Sequence, residues 1–500
     1  MPTLKIDGKE ITVEPGTLVI EAACRLGVSI PHFCYHRKLS IAGNCRMCLV
    51  EVEKMPKPQI SCNLPCTEGM VVHTQSENAK KWRKNVLEFI LVNHPIDCPV
   101  CDQAGECKLH DYYLSESVKG SRFEEEKVHK LKKYELGPEV MLDDERCIMC
   151  SRCIRFCNEI SKTNELGFIQ RGNHVELRPF PGRKLDNAYS VNTVDICPVG
   201  ALTSRDFRFK QRVWFLQSAD SICTGCSTGC NIKLQHNKGI VYRYLPRQNE
   251  AVNQVWLCDK GRLSYKEIND ENRLLLPEKK SEGTWQIMGP EGTLLELSQV
   301  LKEKAADSLL AIASAQSSNE NIFAFKKFAR ALNAKAVLAS SRREVKDPDS
   351  DDFLIKADKN PNSFGVEKLG FKKKASFSKA KVVLVLGEMN EADQKKLTDL
   401  NAELIIVFSS HKNSCSELAH WKIPVTLFAE EEGSFCNFEG RVQKFNAALK
   451  AKGQMKPAWV WLKDLAKKVG VEMKFSSAEE LLKEGFKLDY KDLGVEGKVV

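Results

Sequence analysis

Five hundred residues with 75 Lys and Arg against 66 Asp and Glu, a formal net charge of +9, describe a chain of about three to four domains. Twenty cysteines stand out, 18 of them before residue 260; disulfide scaffolds of that density belong to short secreted chains, and this chain opens on "MPTLKIDGKEITVEPG" with no signal-peptide pattern. No apolar run approaches the roughly 18 residues needed to cross a bilayer, so a soluble protein of a reducing compartment whose cysteines bind metal is expected.

The first stretch alternates as two short strands around Asp7-Gly8, a hairpin signal. A helix over "TLVIEAACRLG", closed by Gly27, and a strand at "MCLVEVE" complete a β-grasp pattern. Cys34, Cys45, Cys48 and Cys62 are spaced C-x10-C-x2-C-x13-C, a loop wrapped around a small cluster with a later segment supplying the last ligand. The β-grasp is the scaffold of plant-type two-iron ferredoxins, although their C-x4-C-x2-C spacing is absent. Zinc is the competing metal, and Cys24 and Cys66 read as buried or spare thiols.

The helix "NAKKWRKNVLEFILVNH" follows, with Trp82, Val86, Phe89, Ile90 and Asn93 on one face and "KKWRK" as a solvated face. Pro95 is expected to end it at His94. In "HPIDCPVCDQAGECKLHD" the imidazole of His94 would then meet Cys98, Cys101 and Cys107, with Gly105 permitting the tight turn. Zinc accepts the same donors, and a His94 that only caps the helix is the bland alternative.

"CIMCSRCIRFC" with the later "DICPVGAL" is the bacterial ferredoxin run, whose fourth cysteine serves the other cluster. Cys147, Cys150 and Cys153 therefore pair with Cys197. Counting back from Cys197 by the same spacing meets Thr193, Ser190 and Asn187, so the second cluster has lost three ligands and Cys157 is an orphan. "ICTGCSTGCNIKL" with "WLCDKGR" supplies a fourth set, Cys223, Cys226, Cys230 and Cys258. With their thiolates counted, four clusters contribute about −7, leaving a holoprotein near +2; the basic excess is compensation, and nucleic acid is not an expected partner.

From about residue 276 strands and helices alternate: "SLLAIASA", "NENIFAFKKFARAL", "AKAVLAS", then "KVVLVLG", "EADQKKLTDL", "AELIIVF". Such units give a parallel sheet covered by helices. No G-x-G-x-x-G follows these strands, and Gly387 alone is weak evidence for a nucleotide site. Cys415 and Cys436 are isolated thiols, and the tail "FKLDYKDLGVEGKVV" reads as polar and flexible.

The fourth set resembles the four-iron motif at the head of molybdopterin oxidoreductases, where Lys260 of "CDKGR" would lie between cluster and pterin. Taken in order, the motifs resemble the family of large iron–sulfur (G) subunits of bacterial NADH:quinone oxidoreductase, respiratory complex I. The resemblance is specific from residue 1 to about 275 and weak beyond, where the segment from "EEGSFCNFEG" to Trp459 looks like the family's molybdopterin-like region. It implies a two-iron cluster on Cys34, Cys45, Cys48 and Cys62. It also implies four-iron clusters on His94, Cys98, Cys101 and Cys107; on Cys147, Cys150, Cys153 and Cys197; and on Cys223, Cys226, Cys230 and Cys258.

The implied architecture is α+β and multidomain. It comprises a two-iron β-grasp domain (1–78), a four-iron module with one histidine and three cysteines (79–118), a bacterial-ferredoxin-like domain (119–215), a molybdopterin-oxidoreductase-type four-iron domain (216–275) and a shortened α/β scaffold (276–500) without molybdopterin. The implied activity is electron transfer, with no catalytic, NADH or quinone site on the chain itself. Electrons would enter from a flavin subunit that oxidises NADH, pass from the two-iron to the ferredoxin-like and then the histidine-ligated centre, and leave for ferredoxin-like and quinone-proximal subunits. The implied location is peripheral, on the cytoplasmic side of the inner membrane, with membrane contact only through the complex. The alternatives are a subunit of an NAD-linked formate dehydrogenase or of a hydrogenase or diaphorase, and a zinc-binding interaction protein.

Overall fold

A computed structural model describes residues 1–116, 120–304, 309–334, 336–341, 350–372 and 380–500. Ser308 and Lys335 of the expected strands and the 118/119 boundary lie outside the described residues. The chain forms two compact units, Met1–Phe215 and Leu216–Val500.

In the first unit β1 (Thr3–Ile6) and β2 (Lys9–Thr12) pair antiparallel about Asp7 and Gly8. Both turn residues have positive φ, 48° and 79°, as the two-residue turn that matches strand twist requires. With α1 (Val19–Arg25), β3 (Leu49–Val52), β4 (Gln59–Ile60) and β5 (Val71–His73) they make a sheet of order β2-β1-β5-β3-β4 in which β1 and β5 run parallel. The buried side of α1, Val19, Ile20, Ala22 and Ala23, shares one core with Leu4, Ile6, Val50 and Val72. This is the expected β-grasp, and it leaves the segment between α1 and β3 free to wrap a site.

Helix α2 (Glu77–Leu91) is capped by Ser76, which accepts from Ala79 N. It ends before Asn93 and His94, and its buried line is Ala79, Arg83 and Leu87. The expected apolar face is only partly buried, with Trp82, Val86 and Ile90 intermediate and Phe89 80% exposed, while Arg83, inside the run read as solvated, is 1% exposed. Arg83 Nε donates to Glu116 Oε1 at 2.9 Å and Nη1 to Thr74 O at 2.6 Å, so a basic residue is buried because its charge and donors are met. Beyond it come α3 (Lys108–Ser115), β6 (Tyr134–Glu135), β7 (Val140–Leu142), α4 (Arg152–Glu159), β8 (Leu166–Ile169), β9 (Glu176–Pro179), α5 (Asn192–Asp195) and β10 (Leu202–Ser204). They form a β10-β7-β6 sheet and a β8–β9 hairpin.

The second unit begins with an antiparallel sheet of β11 (Gln217–Ile222), β12 (Asn231–Asn237) and β13 (Ile240–Pro246), followed by α6 (Asp259–Leu263). Next come β14 (Glu278–Ser281), β15 (Thr284–Ile287), α7 (Pro290–Lys304), β16 (Leu309–Ser314), α8 (Asn319–Ala331), β17 (Ala336–Ser340), α9 (Ser363–Lys368), β18 (Val382–Leu386), α10 (Glu391–Asp399), β19 (Leu404–Ser409), α11 (Ser414–Glu417) and β20 (Trp421–Pro424). β21 (Gly433–Cys436), β22 (Arg441–Phe445), α12 (Ala458–Val469), α13 (Ala478–Phe486), α14 (Tyr490–Leu493) and β23 (Lys498–Val499) close the chain.

Strands β17-β16-β18-β19-β20 are parallel, as expected, and the β14–β15 hairpin adds antiparallel at the β20 edge. Alternate strand residues serve opposite cores: Ala311, Leu384 and Ile406 pack with Phe325, Phe328 and Trp461, and Ile312, Val383 and Val407 pack with Leu397 and Cys415. The tail corrects an expectation. Tyr490 and Leu493 are buried and β23 pairs with β22, so the polar-looking terminus is docked through its few apolar side chains. Among the described residues no helix is long and apolar enough to cross a membrane.

Candidate metal centres

Cys34, Cys48 and Cys62 are buried and Cys45 is partly so, within the loops around β3. Their thiols are free and hydrogen-bond to one another: Cys34 with both Cys45 and Cys62, and Cys48 with Cys62. These bonds hold Cys34 well below the usual thiol range and Cys48 down to about 7, while Cys45 and Cys62 are pushed up. Cys34 N donates to Cys45 Sγ at 3.4 Å, so sulfurs from the beginning and middle of the loop are already gathered.

In the second set Cys98 is exposed, Cys101 buried and Cys107 intermediate. Burial pushes the Cys101 and Cys107 thiols up, with the neighbouring thiols adding to it. Gly105 has φ 90°, and a Cβ there would come within 2.6 Å of Val213, so the turn needs glycine on both counts. Burial lowers His94 to about 4, which keeps its imidazole neutral, the form that binds metal. Arg146 faces both His94 and Cys101 and is fixed to Asp97 at 2.6 Å.

Cys147, Cys150, Cys153 and Cys197 all line one small cavity, together with Phe168, Leu177 and Leu202. Met149 and Ser151, on either side of Cys150, have φ of 52° and 58°, so the backbone winds tightly around it. Burial raises every one of the four, Cys150 to about 11, and repulsion from the other thiols adds to the rise at Cys147, Cys150 and Cys153. Such a set cannot ionise together unless a cation sits among the sulfurs, and that donor chemistry fits an iron–sulfur cluster. Cys157 and the residues at the positions where the spacing would call for further cysteines take part in polar contacts instead. The Cys157 thiol bonds to Glu165, whose Oε2 accepts from Thr163 Oγ1 at 2.6 Å and Asn187 Nδ2 at 2.8 Å. Thr193 Oγ1 donates to Ser190 O.

Cys223, Cys226, Cys230 and Cys258 are buried where β11 hands over to β12 and where α6 begins. Cys223 N donates to Cys230 O at 2.8 Å. Gly261 N donates to Cys258 Sγ at 3.3 Å, and a Cβ on Gly261 would stand 3.0 Å from the sulfurs of both Cys223 and Cys258. Glycine therefore keeps a cradle open between these thiols, a signal visible only as the G of "CDKGR". Burial pushes Cys258 up to about 12 and Cys223 and Cys230 upward too. Among the described residues no three His, Cys, Asp or Glu converge as tightly as a single ion requires.

A separate cavity of about 110 Å³ opens at the carboxyl ends of β16, β18, β19 and β20. It is lined by Glu267, Glu388, Glu431, His411 and several serines, with no lysine or arginine among the described residues. A lining that presents three carboxylates and neither lysine nor arginine does not fit a phosphate-bearing pterin cofactor. Gly387 lies on its wall, where φ of 85° and a Cβ 2.7 Å from Ser314 demand glycine for packing.

Five family models match in succession between residues 1 and 468. The first three are a 2Fe-2S iron-sulfur cluster binding domain (residues 1–77), an NADH-ubiquinone oxidoreductase-G iron-sulfur binding region (83–122) and the ferredoxin-like domain of NADH-quinone oxidoreductase subunit 3 (137–203). A molybdopterin oxidoreductase Fe4S4 domain (216–270) and a molybdopterin oxidoreductase model (356–468) follow. The chain is thus an iron–sulfur protein assembled from ferredoxin-type and molybdopterin-oxidoreductase-type modules.

The NADH-quinone oxidoreductase G subunit of Rickettsia felis is 43% identical over 334 residues, 67% of this chain and 50% of that one. The mitochondrial NADH-ubiquinone oxidoreductase 78 kDa subunit of Neurospora crassa is 40% identical over 335 residues, 66% of this chain and 45% of that one. The chain belongs to the family of NADH-quinone oxidoreductase G subunits, and spans about half the length of the curated relatives it matches. A crystal structure of an NAD+-reducing [NiFe]-hydrogenase in the H2-reduced state is 31% identical and covers 42% of this chain and 90% of that one, with a TM-score of 0.39.

Proposed function

We propose that the chain is the electron-transfer subunit of an NADH:quinone oxidoreductase. It would hold one two-iron cluster on Cys34, Cys45, Cys48 and Cys62. Three four-iron clusters would be held by His94, Cys98, Cys101 and Cys107, by Cys147, Cys150, Cys153 and Cys197, and by Cys223, Cys226, Cys230 and Cys258. When bound, such clusters exchange single electrons with little rearrangement. The chain's own part is to bury the sulfurs, fix their spacing and supply hydrogen bonds and cations around them. Its partners would be the flavin subunit that oxidises NADH and the ferredoxin-like and quinone-proximal subunits, at the cytoplasmic face of the membrane. The division at 78/79, 118/119, 215/216 and 275/276 belongs to the same proposal, with the last part a scaffold.

The observation that carries it is the closeness of two thiol sets: Asn44, beside Cys45, donates through Nδ2 to Met149 O, between Cys147 and Cys150, at 3.0 Å. Two redox centres laid side by side in one chain serve transfer between them. Metal analysis of anaerobically purified protein is expected to give about 14 iron atoms per chain and neither molybdenum nor zinc. Molybdenum near one per chain would instead support the formate dehydrogenase alternative, and stoichiometric zinc the interaction protein.

The histidine site makes a separate prediction. A neutral imidazole in place of a thiolate leaves its cluster less negative, which favours the reduced state, as in Rieske centres. His94→Cys is expected to keep a four-iron cluster and lower its potential; an unchanged redox titration would refute the charge argument.

A further inference from the structure

Two arginines separate the first and third thiol sets. Both open α4, inside the run "CSRCIRFC", and each is 9% exposed. Arg155 Nη2 donates to Cys34 O at 2.6 Å and to Cys150 O at 3.2 Å, so one nitrogen joins the backbone of a residue from each set. Its Nη1 donates to Ser40 O and its Nε to Ser151 Oγ at 3.2 Å. Arg152 repeats the arrangement one turn earlier: Nη2 reaches Tyr35 O at 2.5 Å and Nη1 reaches Ile196 O at 3.0 Å, the neighbours of Cys34 and Cys197.

Neither guanidinium has a carboxylate partner among the described residues; every acceptor given for them is a carbonyl or a hydroxyl. Two unpaired cations this deeply buried cost several kcal/mol each unless an anion compensates them. Their acceptors include the carbonyls of Cys34 and Cys150 and of the neighbours of Cys34 and Cys197, so the two thiol sets flank the pair of cations. The site makes sense when both sets carry negative charge.

We propose that Arg155, seconded by Arg152, is a coupling residue: one cation serves two redox centres, raising the potentials of both together and linking the backbones of two ligand residues through a single nitrogen. The clusters that these thiolates would hold would supply one-electron exchange, with no bond made or broken and no proton moved, and the arginines' part is to hold positive charge and hydrogen bonds between the two sets. Because an added electron makes either centre more negative, a shared cation in a low-dielectric wall favours reduction at both. Arginine suits the place better than lysine, since its planar fork can hold carbonyls on two sides at once.

The proposal rests on the ligand sets given above, and the test separates the two. In the anaerobically purified full chain, redox titrations followed by electron paramagnetic resonance read the two-iron and the ferredoxin-type signals separately. Arg155→Gln is expected to lower the reduction equilibrium constant of both centres about tenfold, about 59 mV for a one-electron couple, at unchanged iron content. Arg155→Lys, which keeps the charge, is expected to recover most of that shift. Should Arg155→Gln lose iron, Arg152→Gln is read in the same way and is expected to shift both centres in the same direction. A shift confined to one centre, or none, with both signals intact overturns the coupling and leaves the ligand sets standing. Absence of either signal from the unsubstituted protein overturns the ligand sets, and the coupling with them.

Discussion

Cys150→Ala is expected to remove about four iron atoms per chain and to abolish NADH-driven quinone reduction in the assembled complex, whereas Cys157→Ala leaves both unchanged. The two cysteines lie in one run of sequence and are both buried, so neither position nor burial distinguishes them. Their surroundings do. Cys150 shares a cavity with Cys147, Cys153 and Cys197, and losing it leaves three thiols to carry a four-iron cluster. Cys157 faces Glu165, and its removal takes one hydrogen bond from a carboxylate that keeps Thr163 and Asn187. That loss is expected to cost about 1 kcal/mol of stability and no metal. Iron analysis and the ferredoxin-type resonance signal check both variants; iron lost from Cys157→Ala and retained in Cys150→Ala would reverse the assignment.

How far the sequence speaks depends on how local the cause is. The Asp7-Gly8 hairpin, α1 closed at Gly27 and the parallel strands β16, β18 and β19 were all legible, because turn residues, short periodicities and continuous apolar runs act over a few positions. The cysteine spacings were legible for the same reason, and the structure brings Cys147, Cys150, Cys153 and Cys197 to one cavity. What the spacing could not show is what stands beside the thiols. Arg83 reads as one more solvated lysine or arginine in "KKWRK", and only the distant Glu116 and Thr74 explain its burial. Arg152 and Arg155 stand in plain view within "CSRCIRFC", but their role depends on Cys34, Tyr35 and Ile196, far away along the chain. The docked tail failed for a related reason: Tyr490 and Leu493 are sparse apolar residues in a polar segment, and they matter because Glu320 and the main core lie where they land.

The same tail leads to a group the iron chemistry does not use. Glu320, in the first turn of α8, and Glu431, between β20 and β21, are 1% and 7% exposed. Glu320 accepts from Ser434 N, Ser434 Oγ and Tyr490 OH; Glu431 accepts from Thr426 Oγ1 at 2.6 Å, Asn321 Nδ2 at 2.7 Å and Ser318 Oγ at 3.3 Å. Every donor is neutral, and the cavity beside Glu431 adds the carboxylates of Glu267 and Glu388 and the imidazole of His411. Burial raises Glu320 to about 7 and Glu431 to about 8, with the charge of Glu320 adding to the rise at Glu431. Below the ordinary carboxylate range folded and unfolded chains both hold the Glu431 proton, so nothing is lost. Above it the unfolded chain releases the proton while the folded chain keeps it, and stability falls with each pH unit until pH passes about 8. Between pH 5 and 8 the loss is on the order of 4 kcal/mol. Glu431→Gln mimics the protonated acid and escapes this loss. Denaturation midpoints of the variant and the unsubstituted protein are therefore expected to coincide near pH 5 and to separate steadily toward pH 8, the variant being the more stable; parallel profiles would mean that Glu431 is ionised in the folded chain.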